Sequence, residues 1–390
     1  MERRPLKIVM LTTVRLHQSK GGSEKVMIDT ANALVSRGHE VTIIFRDKKG
    51  SLPGFKLDKK VELVNCASVI PPFLYSSFVV DLRSFSFSRK NKNYKRAKLN
   101  LKTTAYRFRE AIQLHPADIY ITYDPKLSAM LVQEFNISKP VVTTFQFDPE
   151  HIIKRYYFEA IKDLIAKAGP IQVLLPQFET VIKRFIPKAT CITIPNAVPR
   201  IEQSAILNSK IILNVGRVMP LKNQHLLVET MILLQKKFPE WKVKIVGEND
   251  VDFHYTNKIR DIVSSNGLER VVELCGPTNN IEKVLQTASI FAFPSVSEGF
   301  GLALAEAMAM GIPSIGLKDC SAVSYLIKHG ENGLLCDNNP ESMAEALALL
   351  IQDEELRTRL GRQARLDIQN YSPERIWDKW EELLYSLVEK

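Results

Sequence analysis

Short apolar runs alternate with helix-length amphipathic segments along the whole chain. KIVMLTTV (7–14) leads into the helical pattern GSEKVMIDTANALVSRG, which leads into EVTIIF (40–45). ADIYITY (117–123), KPVVTTF (139–145), IQVLLP (171–176) and TCITIP (190–195) extend the series. After a polar stretch at 195–210 the rhythm restarts with KIILNVG, WKVKIVG, RVVELCG, IFAFP and PSIGL. Strands that are apolar on both faces and alternate with helices predict parallel sheets covered on both sides. Two such series predict two doubly wound, Rossmann-like α/β domains facing each other across a cleft. Ligands are then expected beyond the carboxyl ends of the strands.

The expected domains are 1–197 and 198–371, followed by a last helix at 372–390 that packs back toward the N-terminal domain. Ser372 caps that helix in this reading, with Pro373 in its first turn. Trp377, Trp380 and Leu384 fall on one stripe, which reads as a packing face.

Composition narrows the class. A chain of 390 residues exceeds one ordinary core and suits two domains. Its 45% hydrophobic and 25% charged residues exclude wholesale disorder. No stretch approaches the ~18–20 apolar residues of a membrane span. The basic start MERRPLKIVMLTTV runs into polar TTVRLHQSK rather than a cleavage site, so it reads as a first buried strand. Cys66, Cys191, Cys275, Cys320 and Cys336 are scattered and odd in number, never spaced as CxxC. That argues against a disulfide framework or a zinc site and for a reducing, cytoplasmic compartment.

The helix beginning near Gly301 carries the first chemical question. From Gly301 to Met310 every side chain is small or apolar except Glu306. An ionised carboxylate in a buried helix needs donors. Two readings are open: an internal pair with a nearby base or amide, or a grip on the vicinal hydroxyls of a ribose, which needs an acceptor with two oxygens. The entry loop adds Glu298, Gly299 and Gly301. Its glycines let backbone approach a ligand, and the amides of Phe300, Gly301 and Leu302 form an anion site at a helix N-terminus. Glu298 beside such a site suggests that it faces hydroxyl donors, as on a sugar ring.

NVGRVMPLKNQHLL (214–227) complements that loop. A strand ends at Val215 and Gly216, and Arg217 and Lys222 follow before the next helix. Two cations there could clamp a diphosphate and stabilise it as a leaving group; solvated surface charge is the plain alternative. In the first strand–helix loop, Gly21 and Gly22 precede a helix expected to be capped by Ser23. They could let an acceptor or phosphate approach the backbone. No GxGxxG follows a strand, and the chain has no GxSxG elbow, no P-loop and no HExxH. The DVD at 250–252 reads as a polar loop, not a metal site.

Taken together, Glu298, seven residues and Glu306 within SEGFGLALAEAMAMGIP, with GR at 216–217 and Lys222 upstream, resemble the retaining glycosyltransferases of family 4, which have the GT-B fold. The resemblance runs over nearly the whole chain, through SRGHEVTII (36–44), IPNAV (194–198) and ENGLLC (331–336). It implies a hexose or N-acetylhexosamine carried by a nucleotide sugar, with UDP the expected carrier. Glu306 would hold the ribose and Arg217 and Lys222 the diphosphate. Glu298 and the amides of Phe300 and Gly301 would meet the transferred sugar. Gly216, Gly247, Glu248 and the loop Gly276 to Asn279 would complete the donor side. Neither a metal nor another cofactor is implied. Many members have a histidine after the strand that ends at 142–144; here Gln146 stands there, and it cannot become cationic.

The net charge of +10 is local. Between Arg83 and Glu110 there are ten Lys and Arg against one acid, preceded by the aromatic SVIPPFLYSSFVVDL (68–82). Segment 83–109 is therefore expected to face an anionic membrane rather than nucleic acid, consistent with a glycan or lipid-linked acceptor and a peripheral place on the inner face of the cytoplasmic membrane. The role expected is cell-surface polysaccharide or glycolipid assembly. A nucleotide-sugar epimerase of the same two-domain fold and a non-catalytic sugar-nucleotide-binding protein are the alternatives.

Overall fold

The computed structural model describes residues 3–13, 16, 17, 21–48, 50, 52–67, 89–155, 158–249 and 251–389. The described chain divides into two compact units, one running up to Asn196 and taking in the residues from Ile376 onward, the other Ala197–Arg375.

The first unit is built on strands β1 (Lys7–Leu11), β2 (Glu40–Phe45), β3 (Glu62–Asn65), β4 (Ile119–Thr122), β5 (Val141–Phe145), β6 (Ile171–Val173) and β7 (Cys191–Thr193). They form one sheet in the order β3-β2-β1-β4-β5-β6-β7, with every pair parallel. Every residue of β4 and β5 is buried, which is why these strands read as unbroken apolar runs. The order reverses between β1 and β4. There the loops that follow are tied by Thr13 Oγ1, which donates to Asp124 Oδ2 at 2.6 Å.

Helix α1 (Gly22–Ser36) starts earlier than a Ser23 cap predicts: Gly21 is the N-cap, and its backbone is extended. A Cβ on Gly21 would fall 2.3 Å from Glu24 Oε2. Glu24, three residues into the helix, lies back over the cap as in a capping box, so the cap position needs room rather than a hydroxyl.

The next helix, α2 (Arg89–Leu114), occupies most of the basic window, where no helix was expected. Its buried stripe is Ala97, Leu101, Ala105, Phe108 and Ile112, a helical spacing diluted in sequence by small residues among nine cations. Lys95, Arg96, Lys98, Lys102 and Arg109 are exposed on the remaining surface. The apolar stretch 68–82 and the start of the basic segment, 83–88, lie outside the described residues, as do the side chains of 89–94.

Helices α3 (Pro125–Phe135), α4 (Pro149–Ile153), α5 (Phe158–Ala168) and α6 (Pro176–Phe185) complete the unit, together with the last helix of the chain. That helix buries Ile376, Trp377, Trp380, Leu383, Leu384 and Tyr385. Tyr385 donates to the Arg4 carbonyl at 2.9 Å, and Arg37 pairs with Asp378 at 2.9 Å. His39 is clamped between them: its Nδ1 accepts the Leu6 amide at 3.1 Å and its Nε2 lies 3.1 Å from Glu381 Oε1.

The second unit repeats the plan with β8 (Ile211–Val215), β9 (Lys242–Val246), β10 (Val272–Gly276), β11 (Ile290–Phe293), β12 (Ser314–Leu317) and β13 (Gly333–Cys336). Their order is β10-β9-β8-β11-β12-β13, again with every pair parallel, and it reverses between β8 and β11. Helices α7 (Gln224–Leu234), α8 (Phe253–Ser265), α9 (Ile281–Gln286), α10 (Leu302–Ala309), α11 (Ser321–Leu326), α12 (Pro340–Gln352) and α13 (Glu354–Asp367) cover its faces, and α14 (Pro373–Val388) is the helix that returns to the first unit. Arg365 holds the segment entering the second unit to α13 by donating to the carbonyls of Ile201 and Glu202 at 2.7 Å each.

No described helix is long and apolar enough to cross a membrane.

Candidate functional site

In the second unit, the strands on either side of the order reversal, β8 and β11, carry the loops that hold Arg217, Lys222 and Glu298. Crevices beyond such reversals are where doubly wound sheets bind ligands. The β8–β11 ladder pairs Ile212 with Ile290 and Leu213 with Phe291. One residue further, the side chain of Asn214 takes over, its Nδ2 donating to the Ala292 carbonyl at 2.9 Å while its Oδ1 is buried without a partner among the described residues. Sequence reasoning passed over Asn214, although an amide inside IILNV was the visible signal.

Past Val215 the chain is held close to β9. Gly216 donates to Val246 O and Val218 to Glu248 O, each at 2.9 Å. A Cβ on Gly247 would lie 2.0 Å from the Gly216 carbonyl, so only glycine permits this approach. Gly247 in turn donates to Gly276 O at 2.9 Å, and Gly276 has a left-handed φ of 73°. Gly216, Gly247, Glu248 and Gly276 therefore meet along one edge. Asn279 is exposed on the loop beyond, which leads into α9 through the Asn280 cap.

A 3₁₀ turn, Pro220–Lys222, then sets the lysine. Asn223 follows in the left-handed region (φ 54°), and its side-chain amide donates to Asn338 Oδ1 at 2.9 Å. Val296, on the loop after β11, donates its amide to the Leu221 carbonyl at 3.0 Å. This bond joins the two loops one residue before the lysine. Lys222 Nζ reaches Glu298 Oε1 at 2.5 Å, with side-chain exposures of 21% and 11%. The ammonium also stands 5.8 Å from the centroid of the Phe293 ring. An ion pair so poorly exposed is screened little, and it presents one fixed charge pair at the mouth of the sheet. Arg217 is exposed, and its carbonyl accepts from Gln224 Nε2 at 3.0 Å.

Beyond Glu298, Gly301 is the N-cap of α10 with φ 86° and supplies no side-chain cap. The first-turn amides of a helix have no intrahelical acceptor, so this end suits an anion or a polar ligand. Phe300 is buried edge-on against Tyr371, with centroids 5.3 Å apart, leaving only its backbone available to a ligand. Glu306 is 8% exposed and is the one ionisable residue of α10. Cys320 is buried beside the pair. Burial pushes its thiol up to about 11 and the Glu298 charge acts the same way, so it is a thiol, not a nucleophile in waiting. Ser295 Oγ, Gln224 Oε1 and Asn249 Oδ1 are also buried without partners among the described residues. Together with Asn214 they are polar groups the sequence reading did not single out.

In the first unit, Gly21 and Gly22 open α1 after β1, and Gln146 follows β5, so all three lie on the carboxyl side of the sheet. Gln146 Nε2 donates to Gln172 Oε1 at 3.3 Å, and Gln172 Nε2 to the Ile194 carbonyl at 2.5 Å. Gln146 Oε1 is buried with no partner among the described residues. Asp252 of the DVD caps α8 by accepting the Tyr255 amide at 3.0 Å; Asp250 lies outside the described residues. No group of three or more His, Cys, Asp or Glu that could hold a metal occurs among the described residues.

Residues 200–367 match the family model described as glycosyl transferases group 1. The chain is 28% identical over 375 residues to a protein named an uncharacterized glycosyltransferase of Haemophilus influenzae, covering 94% of this chain and 97% of that one. Over 179 residues it is 33% identical to the poly(ribitol-phosphate) alpha-N-acetylglucosaminyltransferase of Staphylococcus aureus, covering 45% of this chain and 36% of the relative. Its fold matches that of Staphylococcus aureus TarM, solved with fondaparinux, alpha-GlcNAc-glycerol and UDP, with a TM-score of 0.79 at 19% identity, covering 97% of this chain and 99% of TarM. The matched stretch lies within the second unit, which is thus similar to group 1 glycosyltransferases, and both units are Rossmann-like parallel α/β domains as in GT-B structures.

Proposed function

With similarity to group 1 glycosyltransferases as the premise, we propose that this chain is a retaining, metal-independent transferase that moves a hexose or N-acetylhexosamine from a UDP-sugar to a glycan or lipid-linked acceptor of cell-surface polysaccharide. The observation that carries this reading is the Lys222–Glu298 pair, built by two loops at the order reversal of the second sheet. TarM's complex with UDP supports the choice of carrier, and the named activity of the ribitol-phosphate relative supports a glycan acceptor.

In this reading Glu306 accepts the two ribose hydroxyls. Lys222 and Arg217 bind the diphosphate and stabilise the charge that grows on it as the glycosidic bond breaks. Glu298, already paired with Lys222, takes hydroxyl hydrogens of the transferred sugar and keeps the ammonium aimed at the phosphates. The first-turn amides of α10, with Phe300, Gly301 and Leu302, add donors on the same side. Gly216, Gly247, Glu248, Gly276 and Asn279 border the base. Gly21, Gly22 and Gln146 serve the acceptor side. No protein nucleophile is assigned; the leaving phosphate takes the acceptor proton on the face that the acceptor attacks. The exposed cations of α2 draw the protein to an anionic membrane by charge alone, because the helix's apolar stripe is spent in its own core.

The test is a thermal-shift panel of UDP-, GDP- and ADP-sugars followed by product analysis. A ligand at 100 times its Kd adds about 2.7 kcal/mol of stability. UDP-sugars should stand apart and transfer should require an acceptor. Conversion of the sugar nucleotide without an acceptor would point to the epimerase instead.

A further inference from the structure

Arg107 poses a problem that its own unit leaves open. It sits on α2 directly before the buried Phe108 and is half-buried itself. Its Nε is buried and has no hydrogen-bond partner among the described residues. Burial holds its pKa below the ordinary arginine value, and the neighbouring charge of Arg46 pushes the same way. Arg46 is the first residue past β2, at the carboxyl edge of the sheet, and α2 packs on β2. The nearest acid in sequence, Asp47, is turned onto backbone amides, accepting from His17 and Lys48 at 2.7 Å each. Neither arginine forms an ion pair with a described acid.

A half-buried arginine with an unmet buried donor, within the field of an exposed arginine at the carboxyl edge of the sheet, describes an anion site. A carboxylate is filled by one guanidinium fork. A phosphate has oxygens for two. The helix length adds to this. At ~1.5 Å per residue, the 26 residues of α2 extend about 39 Å, roughly twice the span of the strands. Because β4 follows its C-terminal end, the surplus reaches past the carboxyl edge, carrying Lys95, Arg96, Lys98 and Lys102 on its exposed surface. Their field favours an anion approaching the Arg46 and Arg107 side chains.

We propose that Arg46 and Arg107 bind a phosphate group carried by the acceptor substrate. The proposal rests on the acceptor role given above to the N-terminal unit, and it names the acceptor's class as a phosphoester.

The test is calorimetric titration of inorganic phosphate and of glycerol 1-phosphate into the full chain saturated with UDP, which fills the diphosphate site first. Wild type should bind both, and Arg46→Gln and Arg107→Gln should each weaken binding by about tenfold or more. The UDP affinity should not change. Ligand-free Arg107→Gln should melt no lower than wild type, since it removes a buried, unpartnered charge. Vesicles containing phosphatidic acid, in place of glycerol 1-phosphate, tell a lipid-borne phosphate from a soluble one; because the cations of α2 hold any anionic vesicle, the binding that should need both arginines is the excess over vesicles made equally anionic with a fatty acid. Phosphate binding that both variants retain, or no phosphate binding to the UDP-loaded chain, would overturn the proposal. Failure of the donor reading looks different: UDP would not bind, while phosphate binding would still depend on the two arginines.

Discussion

Lys222 Nζ lies 2.5 Å from Glu298 Oε1, although 76 positions separate the two residues. Each is delivered by a different strand of the second sheet, and the Val296–Leu221 backbone bond fixes their loops together. Replacing Lys222 with Met leaves an underexposed carboxylate without its base, so transfer should fall by ~10²–10³-fold. The double variant with Glu298→Gln should lose less than the sum of the single losses, with a coupling of roughly 0.5–3 kcal/mol. Steady-state kinetics on the four proteins measures it, and strict additivity would separate the two roles.

Glu306 tests the ribose grip. Glu306→Gln exchanges one acceptor oxygen for a donor, so its affinity for UDP should drop about tenfold. The diagnostic is 2′-deoxy-UDP. Wild type should bind it more weakly than UDP, and the variant should lose most of that preference. An undiminished preference in titration calorimetry would assign the ribose to another residue.

Gly247 tests the approach of β8 and β9. Its Cβ would overlap the Gly216 carbonyl, and backbone, unlike a flexible side chain, cannot swing away. Gly247→Ala should cost ~1–3 kcal/mol, lowering the melting temperature of a unit this size by about 2–4 °C per kcal/mol. A scan with an unchanged midpoint would mean that the loops part readily.

His39 gives a pH signature. Burial lowers its pKa below 6.5, against the opposing pull of Glu381. The unfolded chain therefore takes up the proton first, so stability is highest above about 6.5 and declines as pH falls from there toward the folded pKa. Protonation also ends acceptance of the Leu6 amide by Nδ1. Denaturation midpoints between pH 8 and 5 should fall more steeply for wild type than for His39→Gln, and parallel curves would count against it.

The basic helix should bind anionic vesicles without penetrating them. Neutralising Arg89, Lys90, Lys92, Lys95 and Arg96 should weaken sedimentation with such vesicles, each charge contributing ~1 kcal/mol, and added salt should do the same to wild type. Sedimentation that resists both treatments would mean attachment by another surface.

The sequence alone determined the periodicity and hence the architecture. Runs such as IYIT and VVTTF could only be strands covered on both faces, and their alternation with helices left a doubly wound sheet as the economical answer. Glu306 stood out for the same reason, as one acid in an otherwise apolar helix. Three things escaped it. Helix α2 hid because two of the buried positions in its stripe are alanines among lysines, and a small residue gives little hydrophobic contrast. The cap of α1 moved to Gly21 because Glu24, not a serine, lies over it. The pairing of Lys222 with Glu298 and the nearness of Arg46 to Arg107 could not be read at all. Neither is a property of spacing along the chain; each arises where the sheet and the helices on it bring separate segments to one edge, and only the tertiary structure fixes which charges meet there.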